Sequence, residues 1–418
     1  VIPVDALIVS GLAVIVVWSI FSRRLERLGI PAPLTVIALG ALAGVFFGQD
    51  LGEHLNTAVA EKTVEIVLAI LLFVDATEVR RGFLGGEGRI VARLLAIALP
   101  LALLATAGAA ALLIPGAPLA LLLVIACIVT PTDFAASAGM LRDTRIPGKL
   151  RNSLNVESGY NDGIVSPLFI VALAVAEGRD AEGLGPALEG AVVASGVAIL
   201  VGVLVGGAAG LAIKHAVKAE WLTSQSLRVG IVVIPLLVYA AAVPLGGNGF
   251  VAAFVAGIAF RTARLDRSST DKGLDHREMS AVDDVGLLAS LGIWFVFGAA
   301  VVLTIESGAS WGLIVLGILA LTALRMIPVY VALFGSRTTW RERTAVGIAG
   351  PRGTASVVFG LLAFNVLRED EANTALYITM VVVLGSVIFH GIAAPKLVVA
   401  LSKSRSSPSG RTWLSSRM

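Results

Sequence analysis

Apolar stretches long enough to cross a lipid bilayer recur along almost the whole chain. They fall at residues 5–22, 30–48, 61–78, 90–114, 117–141, 149–176, 186–213, 226–244, 246–262, 281–304, 309–334, 343–366 and 372–396. A spanning helix needs ~20 predominantly apolar residues. The pattern therefore predicts an all-α polytopic membrane protein with 13 transmembrane helices, a membrane domain over 1–400 and a short basic tail over 401–418. The first stretch reads as a span rather than a signal peptide, since no Lys or Arg precedes it and no small-residue cleavage site follows. Composition agrees: 57% of the 418 residues are hydrophobic and 15% charged, against roughly 45–50% and about 25% in a soluble domain. That excludes a soluble enzyme. A single cysteine, Cys127, excludes an internal disulfide and a cysteine-rich zinc site. The net charge of +3 is small and scattered, so no nucleic-acid partner is expected.

The basic residues give an orientation. All but five of the 32 Lys and Arg fall in or beside alternate loops and the tail. The exceptions are Lys62, Arg179 and Arg368 on the opposite side, and Arg325 and Arg352 within spans. Cytoplasmic loops carry the excess of Lys and Arg. The expectation is an outside N-terminus, a cytoplasmic C-terminus and an odd number of spans.

Two spans are interrupted. Thr130-Pro131-Thr132-Asp133 breaks the fifth, and Gly350-Pro351-Arg352-Gly353-Thr354 breaks the twelfth. Each break joins a proline, which cannot donate the helical hydrogen bond, to a charged residue at mid-membrane depth. The two segments run in opposite directions, and paired broken helices in inverted repeats mark the midplane site of a transporter. Segments four to six then correspond to segments eleven to thirteen.

Ionisable groups in the bilayer centre cost at least ~2.5–3.5 kcal/mol on insertion scales, so each requires a reason. The deep ones are Asp75, Asp133, Glu157, Asp162, Arg325 and Arg352. Four acids against two bases leave a surplus of carboxylate, as a carrier that alternates a proton with a cation requires. The densest cluster is Asn155-Val156-Glu157-Ser158-Gly159-Tyr160-Asn161-Asp162. Residues four apart share a helix face, so Ser158 and Asp162 form one stripe of hard oxygen ligands suited to Na+, and Glu157 and Asn161 form the next. Glu157 pairs with Arg352 if the twelfth segment crosses there, which leaves Asp162 as the group that exchanges a proton for an ion. Unwound carbonyls at Thr130 and Thr132 supply further ligands. Asp133 caps the second half of its own broken helix. Arg325 neutralises either Asp75 or Asp133.

Other features have plainer readings. Gly202, Gly206 and Gly210 form a small-residue stripe for helix packing, with a dimer contact as the narrower alternative. Asp283 and Asp284 are read as anions at a helix N-terminus, or as attractors of cations to an entrance. His54, His215 and His276 fall in loops, and His390 is a satisfied packing or gating residue. The one GxSxG, Gly308 to Gly312, lacks the strand–turn–helix context of a nucleophile elbow. A channel would need a filter-like ring of carbonyls or charges, and no such repeat is present.

Four motifs resemble the NhaP-like branch of the monovalent cation/proton antiporters, the sodium/proton exchangers. They are TPTD (130–133), ESGYNDG (157–163), GPRGT (350–354) and HGIAAP (390–395), in family order across nearly the whole chain. The chain departs from the family pattern at Phe134, where a proline usually follows the aspartate, and at Gly159-Tyr160. The resemblance implies Asp162 as the proton/cation carboxylate, Ser158 and Thr132 as its helpers, and a Glu157–Arg352 pair. It implies electroneutral one-for-one exchange of H+ for Na+, with Li+ or K+ as alternatives, for pH and sodium homeostasis, and no cofactor. It further implies a moving core of helices over about 90–176 and 309–396, and a scaffold over about 5–78 and 186–304. The protein would be a homodimer in the lipid bilayer of a bacterial or archaeal inner membrane.

Overall fold

A computed structural model describes residues 4–47, 57–78, 87–178, 184–265, 274, 276–306 and 310–402. Most of the basic tail, together with His54, Arg179 and Gly308 at the formal GxSxG, lies outside the described residues. Within them the structure is all helical: α1 (Val4–Arg27), α2 (Ala32–Phe47), α3 (Ala58–Glu78), α4 (Gly88–Leu113), α5 (Leu119–Val129), α6 (Ala138–Arg142), α7 (Gly148–Glu177) and α8 (Leu184–Lys218). There follow α9 (Ser224–Ala242), α10 (Gly249–Arg264), α11 (His276–Glu306), α12 (Trp311–Leu321), α13 (Ala323–Ala332), α14 (Trp340–Ile348), α15 (Thr354–Val366), α16 (Glu369–Ile388) and α17 (Ala394–Ser402). A π turn interrupts α4 at Leu94–Ala98, and another, Phe389–Ala393, joins α16 to α17. Among the described residues, eight helical stretches are long and apolar enough to cross a membrane, and α2, α5 and α15 are shorter apolar helices. This is a multi-pass membrane protein.

Both expected interruptions are present. Helix α5 stops at Val129, and after Pro131 and Asp133 the chain resumes only as a 3-10 turn, Phe134–Ser137, and the short α6. Helix α14 stops at Ile348, and α15 starts at Thr354. The breaks meet, with the Asp133 amide donating to the Pro351 carbonyl at 2.8 Å. A third interruption separates α12 from α13 inside the stretch 309–334, which the apolar pattern reads as continuous. Thr322 leaves the helical conformation there, at φ −124° and ψ −97°. Its hydroxyl donates to the Ile318 carbonyl at 2.6 Å. Such back-bonding competes with the helical ladder without leaving a proline or glycine in the sequence.

Close packing follows the small residues. The glycine stripe of α8 lies against α10, where a Cβ on Gly206 would stand 2.5 Å from the Ala256 carbonyl oxygen. The stripe is therefore an intrachain helix contact. Helix α11 packs on α2, and α10 also packs on α3. Around Trp294, Phe297, Phe359 and Phe169 these helices bury a continuous apolar core beside α7 and α15. Phe169 and Phe359 stack with ring centroids 4.4 Å apart, which fixes α7 against α15.

Candidate ion-binding site

The crossing of the two breaks places a carboxylate where a helix begins. The Asp133 Oδ2 accepts from the Thr354 amide at 2.6 Å and from the Ala355 amide at 3.4 Å. Asp133 thus caps α15, and not the second half of its own segment as the sequence alone suggests. The reason is positional: its own segment continues as a 3-10 turn, while the first amides of α15 point directly at it. The approach is close enough to require glycine, since a Cβ on Gly353 would lie 2.6 Å from the Asp133 Cγ. A carboxylate at a helix N-terminus is stabilised by the unpaired amides and the helix dipole.

Arg325 and Arg352 are engaged differently from the expectation. Arg325 Nη1 donates to Glu157 Oε1 at 2.5 Å, and Nη2 donates to Oε2 at 2.9 Å. The pair is buried, at 5% and 1% side-chain exposure. Glu157 is therefore the partner of Arg325 and not of Arg352, and Arg325 is not the counter-charge of Asp75 or Asp133. The break at Thr322 explains this, because α13 restarts there and carries Arg325 in its first turn onto α7. Arg352, 2% exposed, instead serves carbonyls. Its Nε donates to Val129 at 2.6 Å, its Nη2 to Ala320 at 3.2 Å and its Nη1 to Gly350. Those oxygens lie at or just beyond the C-terminal ends of α5, α12 and α14, where helix dipoles present negative charge. The Arg352 amide donates to Ser386 Oγ at 2.6 Å. Ser386 Oγ lies 3.1 Å from His390 Nδ1, and His390 Nε2 lies 3.0 Å from the Ile348 carbonyl. His390 is thus a satisfied residue holding the end of α14.

A cavity of about 710 Å³ reaches this crossing. Asp162, Ser158, Asp133, Asp75, Thr354 and Asp283 line it, together with Arg151, Asn152 and Asn155. The stripe of Ser158 and Asp162 thus faces the cavity as their spacing predicts. Asp162 is 3% exposed, makes no ion pair among the described residues, and its Oδ1 has no hydrogen-bond partner. The hydroxyls of Thr130, Thr354 and Ser356 and the Asn161 Oδ1 are likewise buried without a partner. Thr130, Thr132 and Asn161 lie behind the cavity wall, and Asn161 Nδ2 donates to Thr132 Oγ1 at 2.7 Å. That bond ties α7 to the break after α5. Helix α11 begins at His276, so Asp283 stands two turns inside it and lines the cavity; it is not an N-terminal helix anion.

Sequence reasoning passed over Thr354, Ser356, Ser386 and Arg151. Ser386 was accessible through its four-residue spacing from His390. Thr354 and Ser356 follow the GPRG break directly, where the first turn of a restarted helix faces whatever caps it.

An all-helical membrane protein in which two interrupted helices cross beside a buried carboxylate free of any ion pair among the described residues is a secondary transporter, not an enzyme. The profile of the family described as "Sodium/hydrogen exchanger, transmembrane" matches residues 11–400, and the chain belongs to that family, with an NhaP-like pattern of motifs. A Na(+)/H(+) antiporter of Schizosaccharomyces pombe is 27% identical over 401 residues, 86% of this chain and 84% of that protein. The Na(+)/H(+) antiporter NhaH of Halobacillus dabanensis is 26% identical over 305 residues, 70% of this chain and 72% of its own. The chain spans 54% of the length of an uncharacterized Na(+)/H(+) exchanger of Mycobacterium bovis. The fold is similar to that of the sodium proton antiporter MjNhaP1 from Methanocaldococcus jannaschii, with TM-score 0.79, 22% identity, and coverage of 95% of this chain and 99% of the other.

Proposed function

We propose that the protein exchanges H+ for Na+ across the cell membrane, one ion at a time, at Asp162. One observation carries the reading. Asp162 forms no ion pair among the described residues, and the deep arginines of the two crossing segments are committed elsewhere, Arg325 to Glu157 and Arg352 to backbone carbonyls, which leaves the carboxylate to a proton or a cation. Ser158 and the unpartnered Thr354 hydroxyl, which line the same cavity, are hard ligands of the kind Na+ prefers. Competition for one carboxylate couples the two ions. Asp133 has a separate task, accepting from the first amides of α15.

Electroneutrality follows from the same count. Asp162 carries one proton or one monovalent cation, and its neighbour Asn161 is neutral, so both loaded forms have equal net charge. A membrane potential, worth about 2.3 kcal/mol per charge per 100 mV, then does no work on the exchange. The cavity is lined by Arg151, Leu274 and Asp283, next to the loops richest in Lys and Arg, which supports an inward-open state with a cytoplasmic C-terminus. Thirteen spans, a core over about 90–176 and 309–396 that moves in an elevator-like way, and a dimerising scaffold complete the proposal. The crossing of α5 with α15 supports a core that moves as one piece, and the homodimer rests on the family resemblance.

The decisive measurement is proton efflux from proteoliposomes driven by Na+, Li+ or K+, with the membrane potential clamped and unclamped. Asp162→Asn should abolish exchange while keeping the helical content and melting behaviour of the parent. Na+-driven proton movement by that variant would refute the site, and a rate that follows voltage would refute electroneutrality. Counter-flow of labelled Na+ separates a carrier from a channel.

A further inference from the structure

A second cavity, about 400 Å³, opens where α4 and α7 begin and α13 ends. Four cationic side chains line it, Arg89, Arg93, Lys149 and Arg337, against one carboxylate, Glu87. Arg93 is fixed in the wall: its Nη1 donates to the Phe334 carbonyl at 2.7 Å and to the Ala332 carbonyl at 3.3 Å. Arg89, Lys149 and Arg337 form no ion pair among the described residues. Lys149 is the second residue of α7, so it adds a positive charge at the end of a helix that already favours anions. Like charges gathered around one cavity repel, and an anion placed among them relieves the repulsion.

The surroundings of the mouth indicate where such an anion comes from. Phe334, next to the lining residue Gly335, is 79% exposed, and Trp340 is 62% exposed. Aromatic side chains of this kind sit at headgroup level. From Arg93 an exposed apolar stripe runs along α4 through Ile97, Leu101 and Leu104, at the spacing that keeps residues on one helix face. A charged cup at one end and an apolar track below it match a phosphate headgroup and its acyl chain.

We propose that this cavity binds a phosphate-bearing anion, supplied by the headgroup of an anionic phospholipid in the leaflet that faces the basic loops. Basic pockets between spanning helices on the cytoplasmic side are suited to such headgroups. The site lies apart from Asp162, and the inference does not depend on which ions are exchanged.

The test uses the full chain in detergent, with melting and native mass spectrometry read after addition of phosphatidylglycerol, phosphatidylcholine or inorganic phosphate. Phosphatidylglycerol should raise the melting midpoint and remain bound, and phosphatidylcholine should do neither. The triple variant Arg89→Gln/Lys149→Gln/Arg337→Gln should bind phosphatidylglycerol at least about tenfold more weakly, with an unliganded midpoint no lower than the parent's. A charge-matched control, Arg23→Gln/Arg24→Gln/Arg27→Gln on the exposed face of α1, should bind as the parent does. Equal stabilisation by inorganic phosphate would support the anion site and overturn the lipid as its source. An unchanged response in the triple variant, or an equal loss in the α1 control, would overturn the proposal.

Discussion

Glu157 on α7 and Arg325 on α13 meet through two parallel hydrogen bonds of 2.5 and 2.9 Å, although 168 positions separate them in the chain. The paired geometry fixes the angle of α13 against α7 as well as their distance. It also takes Arg325 away from Asp162 as a counter-charge.

Removing one partner of this pair leaves a buried charge uncompensated. Arg325→Ala and Glu157→Ala should each lose about 3–5 kcal/mol, read as a drop in melting temperature and in yield. The double variant Glu157→Gln/Arg325→Met should recover a substantial part of that loss. If the double variant is no better than the single ones, the pair is not the source of the effect.

Arg352 should be as sensitive for another reason. Arg352→Met strands three carbonyls at helix ends, each loss costing about 1–3 kcal/mol, and should fail to yield folded protein. Arg352→Lys keeps the charge but not the fork, and should fold with an intermediate melting temperature. Thermal unfolding of the two variants side by side checks the order.

Asp133 acts on α15 through its oxygen. Asp133→Asn retains an acceptor for the Thr354 amide and should stay close to the parent in stability. Asp133→Ala should lose about 0.5–2 kcal/mol. Hydrogen exchange at Thr354 and Ala355 should rise in the alanine variant and little in the asparagine one.

Competition at one carboxylate has a definite pH signature. Protons and Na+ exclude one another, so acidification raises the apparent KM for Na+, approaching about tenfold per pH unit, while the maximal rate is kept. Raising pH lowers that KM until deprotonation is complete, after which it levels off. Initial rates over a grid of pH and Na+ concentration test this, and a KM independent of pH would contradict a shared site.

The features legible in the sequence are those set by neighbours in the chain. Pro131 and Pro351 announce their breaks because each lacks an amide, and Ser158 and Asp162 share a face because helical spacing dictates it. The partner of Glu157 was not legible. Both Arg325 and Arg352 are deep and unattached in sequence, and the choice depends on a crossing between distant helices and on the turn at Thr322. The cap of Asp133 was missed for the same reason, as the helix it serves begins 221 positions further along the chain. Local rules identify groups that need partners, and the packing of remote segments assigns them.

The guanidinium of Arg352 holds the ends of α5, α12 and α14 at a common point. Little ordering of the walls is then left for the arriving ion to bring about. In the proposed exchange, discrimination between Na+, Li+ and K+ rests on how well the cavity oxygens of Asp162, Ser158 and Thr354 replace each ion's water shell. For that proposed exchange, a frame of this stiffness makes the size of the ion, rather than the adaptability of the protein, the variable that sets selectivity.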